Sequence, residues 1–372
     1  MKNSYFYAFI IIFAIGFIYG LIIDMYEIFP YDLLRIIKSS LSTSNDSTIS
    51  TPSTYNFNPE SIINIKNISE LEDKKNLLVQ TIWKDSSQLS NLRPKIIEKN
   101  FLDERYSELT NLKTISKLTI EMDNKLTSIV YLFEPVIENN ELVIYHQGHR
   151  GDFIKGKNSI ELLLENGYSV AAFSMPLMGM NNQPIVITEN YGPVLLNSHN
   201  KFQFLETNDF SPIKYFVEPI FTTLNYVNND YSFSKIHFIG ISGGGWTGIL
   251  YSSIDDRILN TFSIAGSLPI FLRSDVKDIG DYEQTNFKLL SIANYLEMYV
   301  MSSYGENRKT ILIYNEFDPC CFAGKSSLLF EESIQNKLNL LGNGFFDIII
   351  DEGSNKHEIS NNSLNEILEL MK

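Results

Sequence analysis

A chain of 372 residues of which 44% are hydrophobic can bury a large core, so a disordered or fibrous protein is excluded. The formal charge of −14, with no dense basic run, argues against nucleic acid and against an anionic membrane surface as partners. The only cysteines, Cys320 and Cys321, are too few for a disulfide framework. Neighbouring Cα atoms lie about 3.8 Å apart, below the usual disulfide span, so two small buried thiols filling space beneath a turn are expected there rather than a bridge.

Residues 5–23 form an uncharged, almost wholly apolar run closed by Asp24. A bilayer-spanning helix needs about 20 such residues, whereas the core of a cleavable signal peptide is usually about 7–15 long, so the run predicts a transmembrane anchor over residues 1–24. Lys2 and the amino terminus favour a cytosolic near side against the opposite pull of Arg35 and Lys38, and the catalytic domain is expected outside the cytoplasm. Residues 25–58 read as a juxtamembrane segment followed by a Ser/Thr/Asn-rich linker. One domain is expected over 59–372, with residues 60–112 a mostly helical lead-in to which no chemistry attaches.

Residues 115–122 and 126–133 predict an antiparallel strand pair around the turn Asp123-Asn124-Lys125. Beyond Asn140 strands alternate with helices, the pattern of a mostly parallel, doubly wound α/β sheet. Strands are expected at 142–145, 170–173, 236–239, 261–264, 311–314 and 346–350, and helices at 159–166, 212–226, 246–253 and 363–370. Residues 175–209 read as a long irregular loop, and 268–304 as an insertion with one helix at 287–299. Both are expected to wall a pocket at the carboxyl ends of the strands. In the first, the methionines between Met175 and Met180 suggest a soft pocket wall or a loop packed on the core. Trp246, Tyr282 and Tyr295 are read either as sugar-stacking aromatics or as core.

The expected strand at 236–239 runs into Gly240-Ile241-Ser242-Gly243-Gly244, a G-x-S-x-G sequence in which a serine is set between residues able to take a sharp strand-to-helix turn. A serine hydroxyl near pH 7 needs a base. Of five histidines only His357 follows the serine, directly past the last expected strand; His237 sits inside a strand, His199 in the irregular loop, and His146 and His149 precede the nucleophile. Asp318 follows the strand at 311–314 and completes the order Ser, Asp, His, with Glu316 as the competing acid. Two N–H donors are needed for an oxyanion: one is expected from Gly243 and one from the loop after the strand at 142–145, from Gly148 or His149. His146, His149 and Asp152 in that loop could also ligate a metal, but no matching second set was found, so no metal and no cofactor are expected.

Gly240–Gly244, Asp318, His357 and the loop His146–Gly151 resemble the α/β-hydrolase superfamily over roughly residues 115 to 372, and within it esterase branches related to acetyl xylan esterases. The resemblance implies an α/β-hydrolase fold and two-step ester cleavage through an acyl-enzyme on Ser242, with a small-molecule or carbohydrate ester as partner. Three alternatives stay open: a peptidase or amidase on the same fold, an acyltransferase, and a non-catalytic anchored binding module.

Overall fold

The computed structural model describes residues 57–372 apart from Gln88, Ser274, Val276 and Lys277, and Asn58–Lys372 forms one compact unit. The expected anchor at 5–23 and most of the linker lie outside the described residues. Among the described residues no helix is long and apolar enough to cross a membrane.

The unit opens with helix α1 (Ile68–Trp83), whose first turn is capped by the Asn67 side chain accepting the Glu70 N–H at 3.0 Å. Strands β1 (Ile96–Glu98), β2 (Leu112–Glu121) and β3 (Thr127–Pro135) follow, and the turn between the last two is made by Asn124 and Lys125 at φ 58° and 60°. Next come β4 (Glu141–His146), α2 (Lys157–Glu165), β5 (Ser169–Phe173), the hairpin β6 (Ile185–Thr188) and β7 (Gly192–Leu195), and α3 (Lys214–Asp230). Then follow β8 (Lys235–Ile241), α4 (Gly243–Ile254), β9 (Asn260–Ile264), α5 (Phe287–Ile292) and α6 (Tyr295–Ser303). The chain ends with β10 (Lys309–Asn315), α7 (Leu328–Leu341), β11 (Phe345–Asp351) and α8 (Asn361–Met371).

Nine strands form one sheet in the order β1-β2-β3-β5-β4-β8-β9-β10-β11. The first three pairings are antiparallel and those from β5 to β11 are parallel. The apolar runs of the parallel strands are continuous because both faces are covered. Leu142 and Ile144 of β4 join the core formed with α1, α3, α4, α6 and α7, while Val143 and Tyr145 join the core under α2 and α8. In β10, Leu312 and Tyr314 divide from Ile311 and Ile313 in the same way. The period of two thus assigns each strand residue to one of two helical layers.

Three expectations are corrected. The stretch 175–209 is not wholly irregular, since it holds the β6–β7 hairpin and a short 3₁₀ helix at His199–Phe204. The single helix expected at 287–299 is two, because the Asn294 side chain accepts the N–H groups of Leu296 and Glu297 and starts α6 afresh after α5 has ended. Helix α7 was not anticipated; its apolar residues Phe330, Ile334, Leu338 and Leu341 stand at helical spacing and bury against the core.

Where β8 meets α4 the backbones nearly touch. A Cβ on Gly240 would stand 2.3 Å from the Gly244 carbonyl oxygen and 2.7 Å from the Gly245 nitrogen. No side chain can yield there, so Gly240→Ala must push α4 away from the sheet. We expect a loss of about 3 kcal/mol or more, read as a lower urea midpoint; an unchanged midpoint would refute the close approach.

Candidate active site

Strand β8 ends at Ile241 and α4 begins at Gly243, so the whole change of direction falls on Ser242. Its backbone sits at φ 55° and ψ −130°, a conformation costing roughly 1–3 kcal/mol for a residue with a Cβ. Its N–H donates to the Ile264 carbonyl at 2.8 Å, and its own carbonyl accepts from Gly245 and Trp246 at 2.8 and 3.2 Å. These bonds hold the turn so that the hydroxyl projects from the carboxyl edge of the sheet.

The loops at that edge follow strand order. His146 of β4 pairs with Gly240 of β8, so the loop after β4 leaves the sheet beside the serine turn. Gly148 is pressed against it: a Cβ there would lie 2.4 Å from Ser242 Cβ and 3.1 Å from Ser242 Oγ. Among the described residues, the N–H groups of Gly148 and His149 make no backbone hydrogen bond, and that of Gly243, first in α4, has no partner within the helix. These are the three N–H groups that the sequence named as oxyanion donors. Gln147, at the position where the loop departs from the H-G pattern, is a latch: its N–H donates to Phe173 O at 2.9 Å and its side-chain oxygen accepts the Tyr145 hydroxyl at 2.7 Å.

Two strands further along, β10 and β11 pair as far as Asn315 and Asp351, and the next loops carry Asp318 and His357. His357 Nδ1 lies 2.7 Å from Asp318 Oδ2. The carboxylate accepts the hydrogen bond of Nδ1–H, which puts the lone pair of the neutral ring on Nε2; among the described residues Nε2 is buried and has no hydrogen-bond partner, the Ser242 hydroxyl included. Asp318 is held by its other oxygen, which accepts the N–H groups of Cys320 and Cys321 at 2.7 and 3.3 Å. The Asn315 amide donates to the carbonyls of Lys356 and Glu358, both at 2.9 Å, and so grips the chain on either side of the histidine. Glu316, the competing acid, pairs instead with Lys325 at 3.4 Å.

Ser242, His357, His149 and Arg150 line one cavity of about 260 Å³, with Asp278, Asp281 and Gln284 from the second insertion among its other walls. A larger surface cleft of about 530 Å³ lies at the amino ends of the strands, against Lys235 and Arg308, and holds no nucleophile with a base. Cys320 and Cys321 also line the small cavity and are joined as a vicinal disulfide, not the separate thiols expected. The turn that wraps both of their N–H groups around Asp318 brings the sulfurs together. Of the two readings of the methionines, packing on the core holds for Met175, which is fully buried, and for Met178, and neither lines the cavity. Trp246 and Tyr295 are core as well, and Tyr282 is tied to Glu206, so none of the three is a sugar platform here.

The remaining histidines separate by role. His237 is buried between Glu141 at 3.0 Å and the Asn260 amide at 3.0 Å, a sheet-face residue as read from its strand. His146, His149 and Asp152 do not form a metal set: His146 donates to the Gln147 carbonyl, and Asp152 accepts the Ile154 N–H and faces Arg105. His149 instead joins His199, Asp281 and Glu283. Burial alone would lower the basicity of His199, but the Glu283 carboxylate more than offsets it and the imidazole is held above its ordinary value. Glu283, fully buried, is kept well below the usual carboxylate range by the two imidazoles despite its desolvation. No local sequence pattern links these four residues; the only signal was that His199, Asp281 and Glu283 fall in segments expected to wall the pocket and His149 in the loop expected to supply an oxyanion donor.

Comparison with family profiles and with curated proteins finds no match. Among solved structures, the chain is similar to acetyl xylan esterase 1 from Thermoanaerobacterium sp. JW/SL YS485, at 13% identity and TM-score 0.56, over 84% of this chain and 96% of that one. It is similar to the acetyl xylan esterase from Paenibacillus sp. R4 at 13% identity and TM-score 0.55, over 82% and 98%. A methylesterase matches at 12% identity and TM-score 0.55, over 82% of this chain and 63% of its own. The likeness is one of fold: the chain has the α/β-hydrolase fold of these esterases.

His146 lies flat between Phe173 and Phe238, and burial pushes its pKa down to about 4. Between the unfolded value of 6.5 and that level, the unfolded chain binds a proton that the folded one refuses. Stability therefore falls as pH drops through this window, by roughly 3 kcal/mol. We expect His146→Phe to flatten this limb in urea titrations from pH 7 to 4; an identical slope in the variant would show that His146 does not set it.

Proposed function

We propose that the chain is a serine esterase that removes a small acyl group, acetyl foremost, from a hydroxyl-rich compound. The observation that carries this reading is the 2.7 Å pairing of His357 Nδ1 with Asp318 Oδ2, which leaves a bare, buried Nε2 in the wall of the cavity that Ser242 also lines. His357 Nε2 takes the Ser242 proton as Oγ bonds to the ester carbonyl carbon. The carbonyl oxygen becomes an oxyanion among the N–H groups of Gly243 and of Gly148 or His149. The imidazolium, stabilised by Asp318, returns the proton to the departing alcohol, leaving an acyl-serine. Water, deprotonated by the same nitrogen, then attacks the acyl carbon and releases the acid and the free serine. The N-terminus of α4 adds a favourable field for the negative charge.

Acyl size and leaving group are inferred from the cavity. At about 260 Å³ it is at or below the small end of ordinary ligand pockets, roughly 300–1,000 Å³, and suits a short acyl chain. Arg150, Asp278, Asp281 and Gln284 offer donors and acceptors to hydroxyl groups, which supports a carbohydrate ester and agrees with the named substrate of the acetyl xylan esterases. Residues 5–23 are proposed to anchor the enzyme in a membrane with its catalytic domain outside the cytoplasm, a reading that rests on their apolar run alone.

In the full-length protein a fluorophosphonate probe is expected to label Ser242, and Ser242→Ala to abolish both labelling and ester turnover while the circular dichroism spectrum stays native. Asp318→Asn should lower kcat by about 10³-fold or more, since the imidazole loses its orienting anion. Turnover retained by pure Ser242→Ala would sink the mechanism. Among aryl esters, kcat/KM for acetate should exceed that for octanoate by about 10²-fold, as each excluded methylene adds to the discrimination; a flat or inverted chain-length profile would remove the small-acyl assignment.

A further inference from the structure

We infer that His149, His199, Asp281 and Glu283 form a binding site for one divalent transition-metal ion of the zinc type, set beside the cavity. The four donor atoms converge. His149 Nε2 lies 2.9 Å from Glu283 Oε1, 3.1 Å from His199 Nδ1 and 3.4 Å from Asp281 Oδ2. His199 Nδ1 lies 3.2 Å from Glu283 Oε1 and 3.9 Å from Asp281 Oδ2. A tetrahedral ion with ligands at about 2.0–2.1 Å requires ligand atoms about 3.3–3.4 Å from one another, and the five separations straddle that value.

Hydrogen bonds alone serve this arrangement poorly. His199 Nε2 donates to the Pro176 carbonyl at 2.8 Å, so a neutral His199 turns the lone pair of Nδ1 towards the cluster. This is the support that metal-bound imidazoles commonly have: the far nitrogen held by a carbonyl, the near one free to ligate. Facing that lone pair are a carboxylate oxygen and the other imidazole. One proton on His149 Nε2 can bridge two of the four atoms and leaves the His199–Glu283 contact as acceptor against acceptor. With His199 protonated as well, both N–H groups can donate to Glu283 Oε1, but they stand 3.1 Å apart on one acceptor and neither is left for Asp281 Oδ2. A single cation at the centre satisfies all four at once.

A second observation is independent of these separations. Glu283 is fully buried, and its other oxygen, Oε2, has no hydrogen-bond partner. An unpaired buried carboxylate oxygen is costly, and a metal ion in the cluster offers it a bidentate or water-bridged role. Two imidazoles with two carboxylates form a donor set suited to zinc and its neighbours rather than to calcium or magnesium. The donors come from three segments: the loop after β4, the 3₁₀ helix at His199–Phe204, and residues 281–283 of the second insertion. The ion would tie both insertions to the loop bearing the proposed oxyanion N–H groups. It has no part in activating Ser242, and the site stands whether or not the chain is an esterase.

The test is metal content and binding by the full-length protein. After stripping with dipicolinate, titration with zinc sulfate followed by gel filtration should leave about one zinc ion per chain and raise the melting temperature. Glu283→Gln, which keeps shape but loses charge, and Asp281→Asn, at a side chain 40% exposed, should each weaken zinc binding by about 10-fold or more. X-ray absorption should show nitrogen and oxygen ligands with imidazole scattering and no sulfur. Zinc binding that is absent from the folded wild type, or unchanged in both variants, would overturn the site. So would sulfur in the coordination shell, which would place the ion on reduced Cys320 and Cys321 beside His357 instead.

Discussion

Everything at the carboxyl edge of the sheet depends on one residue being held where a residue with a side chain resists going. Ser242 carries the full turn from strand to helix at φ 55°, and nothing in its own chemistry favours that angle. The surroundings impose it: Gly240 lets α4 come down onto β8, the Ile264 carbonyl fixes the Ser242 N–H, and the first turn of α4 fixes its carbonyl. The strain is thus offset by the burial of the whole of α4, which lies in the core from Gly243 to Ile254. The same constraint determines the neighbours, because a hydroxyl projected from so tight a turn can be approached only by backbone. That is why Gly148, with Ser242 Oγ 3.1 Å from where its Cβ would be, tolerates no side chain.

Strand order then distributes the partners. The loops after β4 and β8 leave the sheet side by side, and the loops after β10 and β11 do the same two strands away. The residues proposed as donors and nucleophile therefore form one pair, and those proposed as acid and base another. Each pair is braced locally, the first by Gln147 and the second by the Asn315 amide gripping Lys356 and Glu358. Asp351 adds to the second brace by accepting the Gly353 N–H at 2.8 Å and the Ser363 hydroxyl at 2.7 Å, which binds the histidine loop to the start of α8. The long loop that carries His357 is accordingly anchored at its beginning, middle and end.

Those features that follow from local pattern could be read in advance. The six parallel strands are continuous apolar runs, and the G-x-S-x-G turn is a backbone requirement written in small residues. The Ser, Asp, His order selected Asp318 and His357, which the structure places in contact. Helix α7 was also legible in principle, through Phe330, Ile334 and Leu338, but a low-contrast apolar stripe beside a cysteine turn did not stand out. What could not be read is whatever depends on distant segments meeting. His149 and Glu283 are separated by 134 residues and His199 and Glu283 by 84, with no spacing rule to connect them. The pairing of Cys320 with Cys321 ran against the preferred span and follows from a turn drawn tight around the Asp318 carboxylate.

The two insertions explain why the cavity is small. Here the first insertion brings His199, held to Pro176, and the second brings Asp281 and Glu283, and both converge on His149 in the wall of the cavity. An apolar clasp of the same volume would close the edge with no charge to desolvate and at least equal stability. A clasp of imidazoles and carboxylates contributes something else, because its directional bonds permit one arrangement of the three segments where apolar contacts would permit several. The same cluster leaves Asp281, 40% exposed, on the cavity wall beside Asp278 and Gln284. The bonds that close this side of the cavity therefore also fix a carboxylate on its wall.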